Sequence, residues 1–380
     1  MREYDSWELI NDALECKTPA KVPSICIGAD WSFMERLYHS PYAFTYEEFK
    51  DIKKKGIGWI PTYIPASIKL GVNLTWSTSS LGKFIWLDET SEPGSLTFGT
   101  QKMATRLTDF IPPEGVPKRP VPHIWHVKSC FKTNTPKEQI EQFIEKQPRI
   151  QNIAFRKYNK LSRKCEKYYN LVLAGGSNCM WEPLSLGIGI SLVTKLWRKD
   201  KPFLYQLRDF FHEMYVTHME RLIKYGKPKV VMVGDDYGFN AGLLMDIKLW
   251  REIVKPTLAQ QVQIAHDADV KYVLHSCGKI ESLFGDFVEI GIDGVESLKP
   301  KNNDLVALKK KYGDKIALLG TIDDSDMLKF STPDQIRPSV IQSIKDLGPG
   351  GYIPGATNFL LDQPVENIVA MYDTIKEYKI

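Results

Sequence analysis

A chain of 380 residues is long enough to bury a large core, as one big α/β domain or two smaller ones. Its 50 basic and 46 acidic residues are interspersed and leave a formal charge of +4, with 43% of residues hydrophobic. That balance leaves no electrostatic footprint for nucleic acid or a membrane surface, and no apolar run approaches the ~20 residues of a membrane span.

The N-terminal run Met-Arg-Glu-Tyr-Asp-Ser-Trp is charged and lacks the apolar core of a signal peptide. Six cysteines, Cys16, Cys26, Cys130, Cys165, Cys179 and Cys277, are scattered without a tight framework, as expected of reduced thiols. A soluble cytoplasmic protein is therefore expected.

In chain order, Val22–Ile27 reads as a first strand ending at Gly28-Ala29-Asp30, and residues 58–63 as another. Residues 74–125 carry Trp76, Phe84, Trp86 and Phe98 among Ser, Thr, Gly and Pro. They read as a long irregular or β-rich excursion that includes a proline-rich loop at 111–120. Residues 136–168 read as a charged helical segment. The expectation is one domain over 1–380, with 74–168 an insertion and helical excursion.

Beyond residue 169 the chain alternates short apolar runs with helix-like segments. Strands are predicted over 170–175, 230–234, 271–275, 295–298, 316–320 and 352–354. Helices are predicted over 184–197, 202–225, 247–266, 280–290, 303–311, 333–347 and 364–378. Thr332-Pro333 supplies a cap and a first-turn proline. Such repetition implies a parallel sheet, and near-regular units of roughly 25–40 residues suit a (β/α)8 barrel. No glycine-rich dinucleotide fingerprint follows any predicted strand.

Barrel enzymes place their chemistry at the C-terminal ends of strands. Those ends carry Asp30; Cys179, Trp181 and Glu182; Asp235 and Asp236; His275 and Cys277; Glu296; Asp323 and Asp324; Thr357 and Asn358. His275 and Cys277 stand at i and i+2 of an extended run, so they point the same way and can converge on one metal. Imidazole plus thiolate suits zinc, whose catalytic sites have three protein ligands and an open position. Asp235 and Asp236 are adjacent carboxylates that need solvent, a cation or hydrogen bonds to remain ionised together. One could cap the next turn while the other holds substrate or relays a proton. Trp181 and Asn358 are the candidate substrate contacts.

The ordered set Val233-Gly-Asp-Asp-Tyr-Gly, His275-Ser-Cys-Gly, Leu319-Gly-Thr-Ile-Asp, Gln363-Pro-Val-Glu-Asn-Ile and Ala66-Ser-Ile-Lys-Leu-Gly-Val resembles motifs of the uroporphyrinogen decarboxylase superfamily. The resemblance implies one (β/α)8 barrel with its site at the C-terminal rim, and one of two chemistries. The decarboxylases grip substrate carboxylates with an arginine-rich segment near the first strand and use an Asp just before the Leu-Gly-Val segment. Here the first is Ile25-Cys-Ile-Gly-Ala-Asp-Trp, and residues 56–73 hold no carboxylate.

The methyltransferases of the superfamily bind zinc through His-x-Cys and a later Cys. His275 and Cys277 match the first two, while residues 355–362 offer no thiol. Glu296, Cys179, Glu182 and Asp235 are candidates for the third ligand, with Glu296, on the neighbouring strand end, ranked first. The resemblance thus implies a zinc-dependent methyltransferase. It would move methyl between a small methoxy or methylamine-type compound, or a thiol, and a corrinoid carried by a partner protein. A decarboxylase of a smaller acid is the alternative.

Overall fold

The computed structural model describes residues 4–57, 64–77, 95–98, 101–107, 122–129, 134, 136–145 and 152–380. Thirteen strands are described: β1 Ile25–Cys26, β2 Leu74–Ser77, β3 Ser95–Phe98, β4 Gln101–Leu107, β5 Pro122–Ser129, β6 Val172–Asn178, β7 Val230–Gly234, β8 Gly238–Phe239, β9 Gly242–Leu243, β10 Lys271–His275, β11 Gly294–Glu296, β12 Ala317–Leu319 and β13 Tyr352–Ile353. Eight of them form one parallel sheet in the order β1-β2-β6-β7-β10-β11-β12-β13. The last returns to the first: the Ile25 N–H donates to the Pro354 carbonyl at 3.0 Å, and Ala29 bridges Leu360. The chain is a (β/α)8 barrel, as its strand–helix alternation predicts.

Strands β7 and β10 and the helix Pro333–Leu347 fall where the sequence places them. The Thr332 N–H donates to Gln335 Oε1 at 3.0 Å, which starts that helix beside Pro333. Strand β6 begins and ends later than predicted. Asn170 closes the helix Ile153–Tyr169 in a left-handed conformation, φ 53°, so it cannot open a strand.

The larger difference lies in the first half. Leu74–Ser77, which the sequence assigns to the excursion, is a barrel strand paired in register with β1 and β6. Its Asn73 side chain accepts from the Ser24 N–H at 3.0 Å and ties β2 to the chain entering β1. The antiparallel sheet β3-β4-β5 is the β-rich part of the excursion. The strand expected at 58–63, the aromatics Phe84 and Trp86, the loop at 111–120 and Cys130 lie outside the described residues. The five cysteines described are free thiols. Among the described residues no helix is long and apolar enough to cross a membrane.

Two apolar layers hold the barrel together. The outer one lies between strands and helices. The inner one fills the barrel with Ile25, Ile27, Leu74, Trp76, Val172, Ala174, Val230, Met232, Val273, Ala317, Leu319 and Ile353. The N-terminal helix Ser6–Leu14 joins this inner layer through Ile10, Ala13 and Leu14, all buried. It closes the floor, the end where strands begin: Asn73 Nδ2 donates to Ser6 Oγ at 2.7 Å, and the Ser6 N–H to Asn170 Oδ1 at 3.0 Å. Burying side chains such as Ile10 and Leu14 is worth about 1.5–3 kcal/mol each.

Candidate metal centre at the barrel rim

Four neighbouring strands end in register. Asn178 of β6 pairs with Gly234 of β7, Gly234 with His275 of β10, and His275 with Glu296 of β11. Residues paired across a parallel sheet share a face, and alternation puts this row on the same inward face as Met232 and Val273 below it. The site is therefore the top layer of the barrel interior.

His275 sits at its centre. Its Nδ1 is bonded to Glu296 Oε2. Its Nε2 lies 3.6 Å from Cys277 Sγ and 3.9 Å from Asp236 Oδ1. The same Asp236 oxygen accepts the Cys277 N–H at 2.7 Å, which ties the loops after β7 and β10 together. One donor atom from each of Asp236, His275 and Cys277 falls within 4.8 Å of the others. Around the sulfur stand Ser297 Oγ at 3.3 Å and Asn358 Nδ2 at 3.7 Å. Ser297 has φ 76°, a conformation that costs a non-glycine residue energy and persists where the surroundings enforce it.

Charge is tightly managed. Burial favours a neutral His275 ring, but Glu296 and Cys277 override it and hold the imidazole well above its ordinary range. Burial pushes the Glu296 carboxyl up against the pull of His275. It also raises the Cys277 thiol, helped by Asp236 and opposed by His275. Glu296 is fully buried, and its second oxygen, Oε1, has no partner. That oxygen faces Gly320, where an added Cβ would stand 2.3 Å away and where φ is +56°, so only glycine fits.

The two catalytic candidates separate. Asp235 is fully buried and turns to the backbone: Oδ2 accepts the Trp181 N–H at 3.2 Å and Oδ1 the Glu182 N–H at 2.5 Å. It caps the helical stretch that follows β6, and burial pushes its carboxyl up to about 7 against those hydrogen bonds. Asp236 alone joins His275 and Cys277. Trp181, expected to touch substrate, is fully buried in the outer core, and its backbone N–H serves Asp235. Asn358 does reach the cluster, through Cys277. Glu296 lies across the imidazole from Asp236 and Cys277, on the other ring nitrogen.

Three neighbours escaped the sequence reading. Trp76 lies at 5.7 Å, ring centre to ring centre, from His275. The Ser- and Thr-rich run that follows makes it read as part of the excursion, although three helices, Trp31–Tyr38, Tyr46–Lys54 and Ile64–Leu70, separate β1 from β2. Asn178 was hidden by the Gly-Gly-Ser run that reads as a loop. Ser297 had no signal in the sequence. Glu182, named there as a ligand alternative, accepts from Asn178 Nδ2 at 3.2 Å. Burial first, then Asp236 and Asp235, push its carboxyl up to about 8.

A parallel barrel with a His/Cys/Asp cluster at its C-terminal mouth defines the class: a (β/α)8 protein with the makings of a metal site. Residues 157–378, more than half of the chain, match the uroporphyrinogen decarboxylase (URO-D) family, and the chain belongs to it. A stretch of 110 residues is 31% identical to the methylcobamide:CoM methyltransferase MtaA of Methanosarcina barkeri. It covers 28% of this chain and 30% of that protein, so the match spans under a third of the relative's length. Among solved structures, a methyltransferase from Methanosarcina mazei superposes with a TM-score of 0.63 over 99% of both chains at 16% identity. A B12-independent methionine synthase from Shewanella sp. W3-18-1 does so with a TM-score of 0.51 at 11% identity, over 94% of this chain and 96% of that one. At these identities the two structures show the fold alone.

Proposed function

We propose that this chain is a zinc-dependent methyltransferase. It moves a methyl group between a small methylated compound or thiol and a corrinoid held by a separate protein. The observation that carries this is the convergence of Asp236, His275 and Cys277 at the barrel mouth. The partial likeness to a methylcobamide:CoM methyltransferase supports it.

The residues fit zinc. One nitrogen, one sulfur and one oxygen donor is an acceptable set with a position left for a reactant. A carboxylate on the far nitrogen of a ligating histidine fixes ring and tautomer, and Glu296 is so placed. Zinc bound here would supply Lewis acidity toward the heteroatom carrying methyl, or hold a thiol acceptor as thiolate. The protein groups do the rest. Asp236 fixes the Cys277 backbone, Ser297 and Asn358 hold the sulfur, and Trp76 packs beside the imidazole.

A second ligand set uses His275 Nδ1 and Glu296. The Oε1 of Glu296, buried without a hydrogen-bond partner, favours it. Decarboxylation of a polycarboxylate has less support. Arg36, the arginine nearest the first strand, donates to the backbone carbonyls of Leu361 and Gln363.

Zinc analysis of protein purified without chelator tests the proposal, together with loss of methylcobalamin absorbance when a thiol is added. Stoichiometric zinc, lost in His275→Ala and in Cys277→Ser, is the expected result. Zinc-free wild-type protein, or full zinc in both variants, refutes it.

A further inference from the structure

The near-neutral total of +4 hides a strongly basic face. The helix Ile153–Tyr169 carries Arg156, Lys157, Lys160, Arg163, Lys164 and Lys167. At 3.6 residues per turn these six fall within about 120° of its circumference. The opposite side, with Phe155, Tyr158, Leu161 and Cys165, is buried. Five of the cations are exposed and Lys164 is half-buried. Glu166, the one acid on the helix, lies off the stripe and is paired with Lys229 at 2.8 Å. Like charges three and four residues apart, such as Arg156 and Lys160 or Arg163 and Lys167, destabilise a helix. An anionic partner would remove that cost.

The stripe lies toward the end of the barrel where strands begin. Asn159 Nδ2 donates to the Tyr225 carbonyl, ahead of β7, at 3.3 Å, and Asn170 Nδ2 donates to the Tyr4 carbonyl at 2.9 Å. A groove of about 480 Å³ follows the stripe from Arg156 to Lys167, with Tyr168 and Tyr225 in its lining. Nucleobases need open ring faces to stack on. Here the rings are occupied: Arg156 and Lys224 stand over Tyr225 at 5.4 and 5.6 Å, and Lys167 and Lys55 over Tyr168 at 5.3 and 5.4 Å. The rings steady cations instead of offering faces to bases. Cations four residues apart on a helix repeat about every 6 Å along its axis, the same spacing as carboxylates on one face of a second helix.

We propose that the basic stripe of Ile153–Tyr169 docks an acidic helix of a partner protein, away from the His275 rim. The inference is independent of the methyl-transfer reading.

Fluorescence anisotropy with the full chain tests it, at about 0.01 M ionic strength, where charges act over about 30 Å. The probe is a labelled alanine-based helical peptide with glutamate at every fourth position. Its glutamine counterpart, oligo(dT) of equal charge and phosphatidylglycerol vesicles are compared with it. The glutamate peptide should bind, and the glutamine peptide should not. Reversing two exposed charges, Lys160→Glu with Arg163→Glu, should weaken binding at least about tenfold, roughly what two lost surface ion pairs amount to. Lys310→Glu with Lys345→Glu, exposed residues on other helices, changes the net charge equally and should leave binding within about twofold of wild type. Melting curves of both double variants confirm that they fold. No binding of the glutamate peptide, equal binding of its glutamine counterpart, or an equal loss in both double variants overturns the proposal. So does oligo(dT) or vesicle binding more than about tenfold tighter than the peptide, which would assign the stripe to nucleic acid or to a membrane surface instead.

Discussion

Replacing Gly320 by alanine should damage stability and the metal centre together. The residue follows β12 with φ +56°, and its missing Cβ would lie 2.3 Å from Glu296 Oε1, 3.1 Å from Glu296 Cδ and 3.2 Å from the Ala356 carbonyl oxygen. Two costs add. A left-handed conformation costs a residue bearing a Cβ about 1–2 kcal/mol, and forcing a methyl into a filled site about 1–3 kcal/mol, so about 2–5 kcal/mol in all. At about 2 °C per kcal/mol for a chain this long, Tm should fall by roughly 4–10 °C. The Glu296 carboxylate is the group that must move, and it holds His275 Nδ1, so zinc affinity should fall as well. Gly242→Ala is the control. Nothing lies within 4 Å of its added Cβ, and the change should stay within about 0.5 kcal/mol. Denaturant melts and zinc titrations of both variants give the answer. A Gly320→Ala protein as stable and as zinc-replete as the control would show that Glu296 is not pinned as described.

Other substitutions separate structural from chemical carboxylates. Asp235→Asn sets an amide N–H against a backbone N–H at the helix start and should cost about 1–3 kcal/mol in a denaturant melt. Asp236→Asn can still accept from Cys277, so its stability should hold while zinc affinity drops. Glu296→Gln should lower zinc content outright if that carboxylate is a ligand, and only weaken binding, by about 10–100-fold, if it orients His275. Asp286 tests linkage far from the site. Burial raises its carboxyl, but Arg251 and Lys255, at 3.0 and 2.7 Å, outweigh that and hold it below the usual range. Its contribution is present above the unfolded-state value of about 3.9 and is lost as pH falls through the lower folded value. Asp286→Asn should therefore be less stable at pH 7 by about 1–3 kcal/mol. The gap between wild type and variant should begin to narrow below about pH 4 and close only once the pH is below the lowered folded value; a gap that does not narrow on acidification counts against the ion pairs.

Much of the second half was legible because hydrophobic runs and caps agree there. Val230–Gly234 and Lys271–His275 have apolar centres and sharp bounds, so both strands could be read off, and with them the place of His275 at the end of the second. The adjacency of His275 and Cys277 follows from alternation alone. Their partnership with Asp236 does not, because it depends on the register of β7 against β10 and on which of two neighbouring carboxylates turns inward. The backbone settles that choice: two N–H groups at the start of the next helical stretch claim Asp235. Trp76 was illegible for another reason. Four residues of β2 carry too short a period to stand out beside a Ser- and Thr-rich run, and only pairing with β1 and β6 makes them a strand.

The closed floor has a consequence for traffic. With Ile10, Ala13 and Leu14 packed into the end where the strands begin, the row of site residues lies at the opposite end, the mouth at the His275 rim. In the methyl transfer proposed above, to a corrinoid borne on another protein, both reactants would meet at that mouth, and they differ greatly in size. A docked protein would block it, so the small molecule has to be seated first and its product can leave only after undocking. On the proposed function this arrangement implies a queue: an excess of the protein partner should slow turnover, because it covers the mouth before the small molecule has entered.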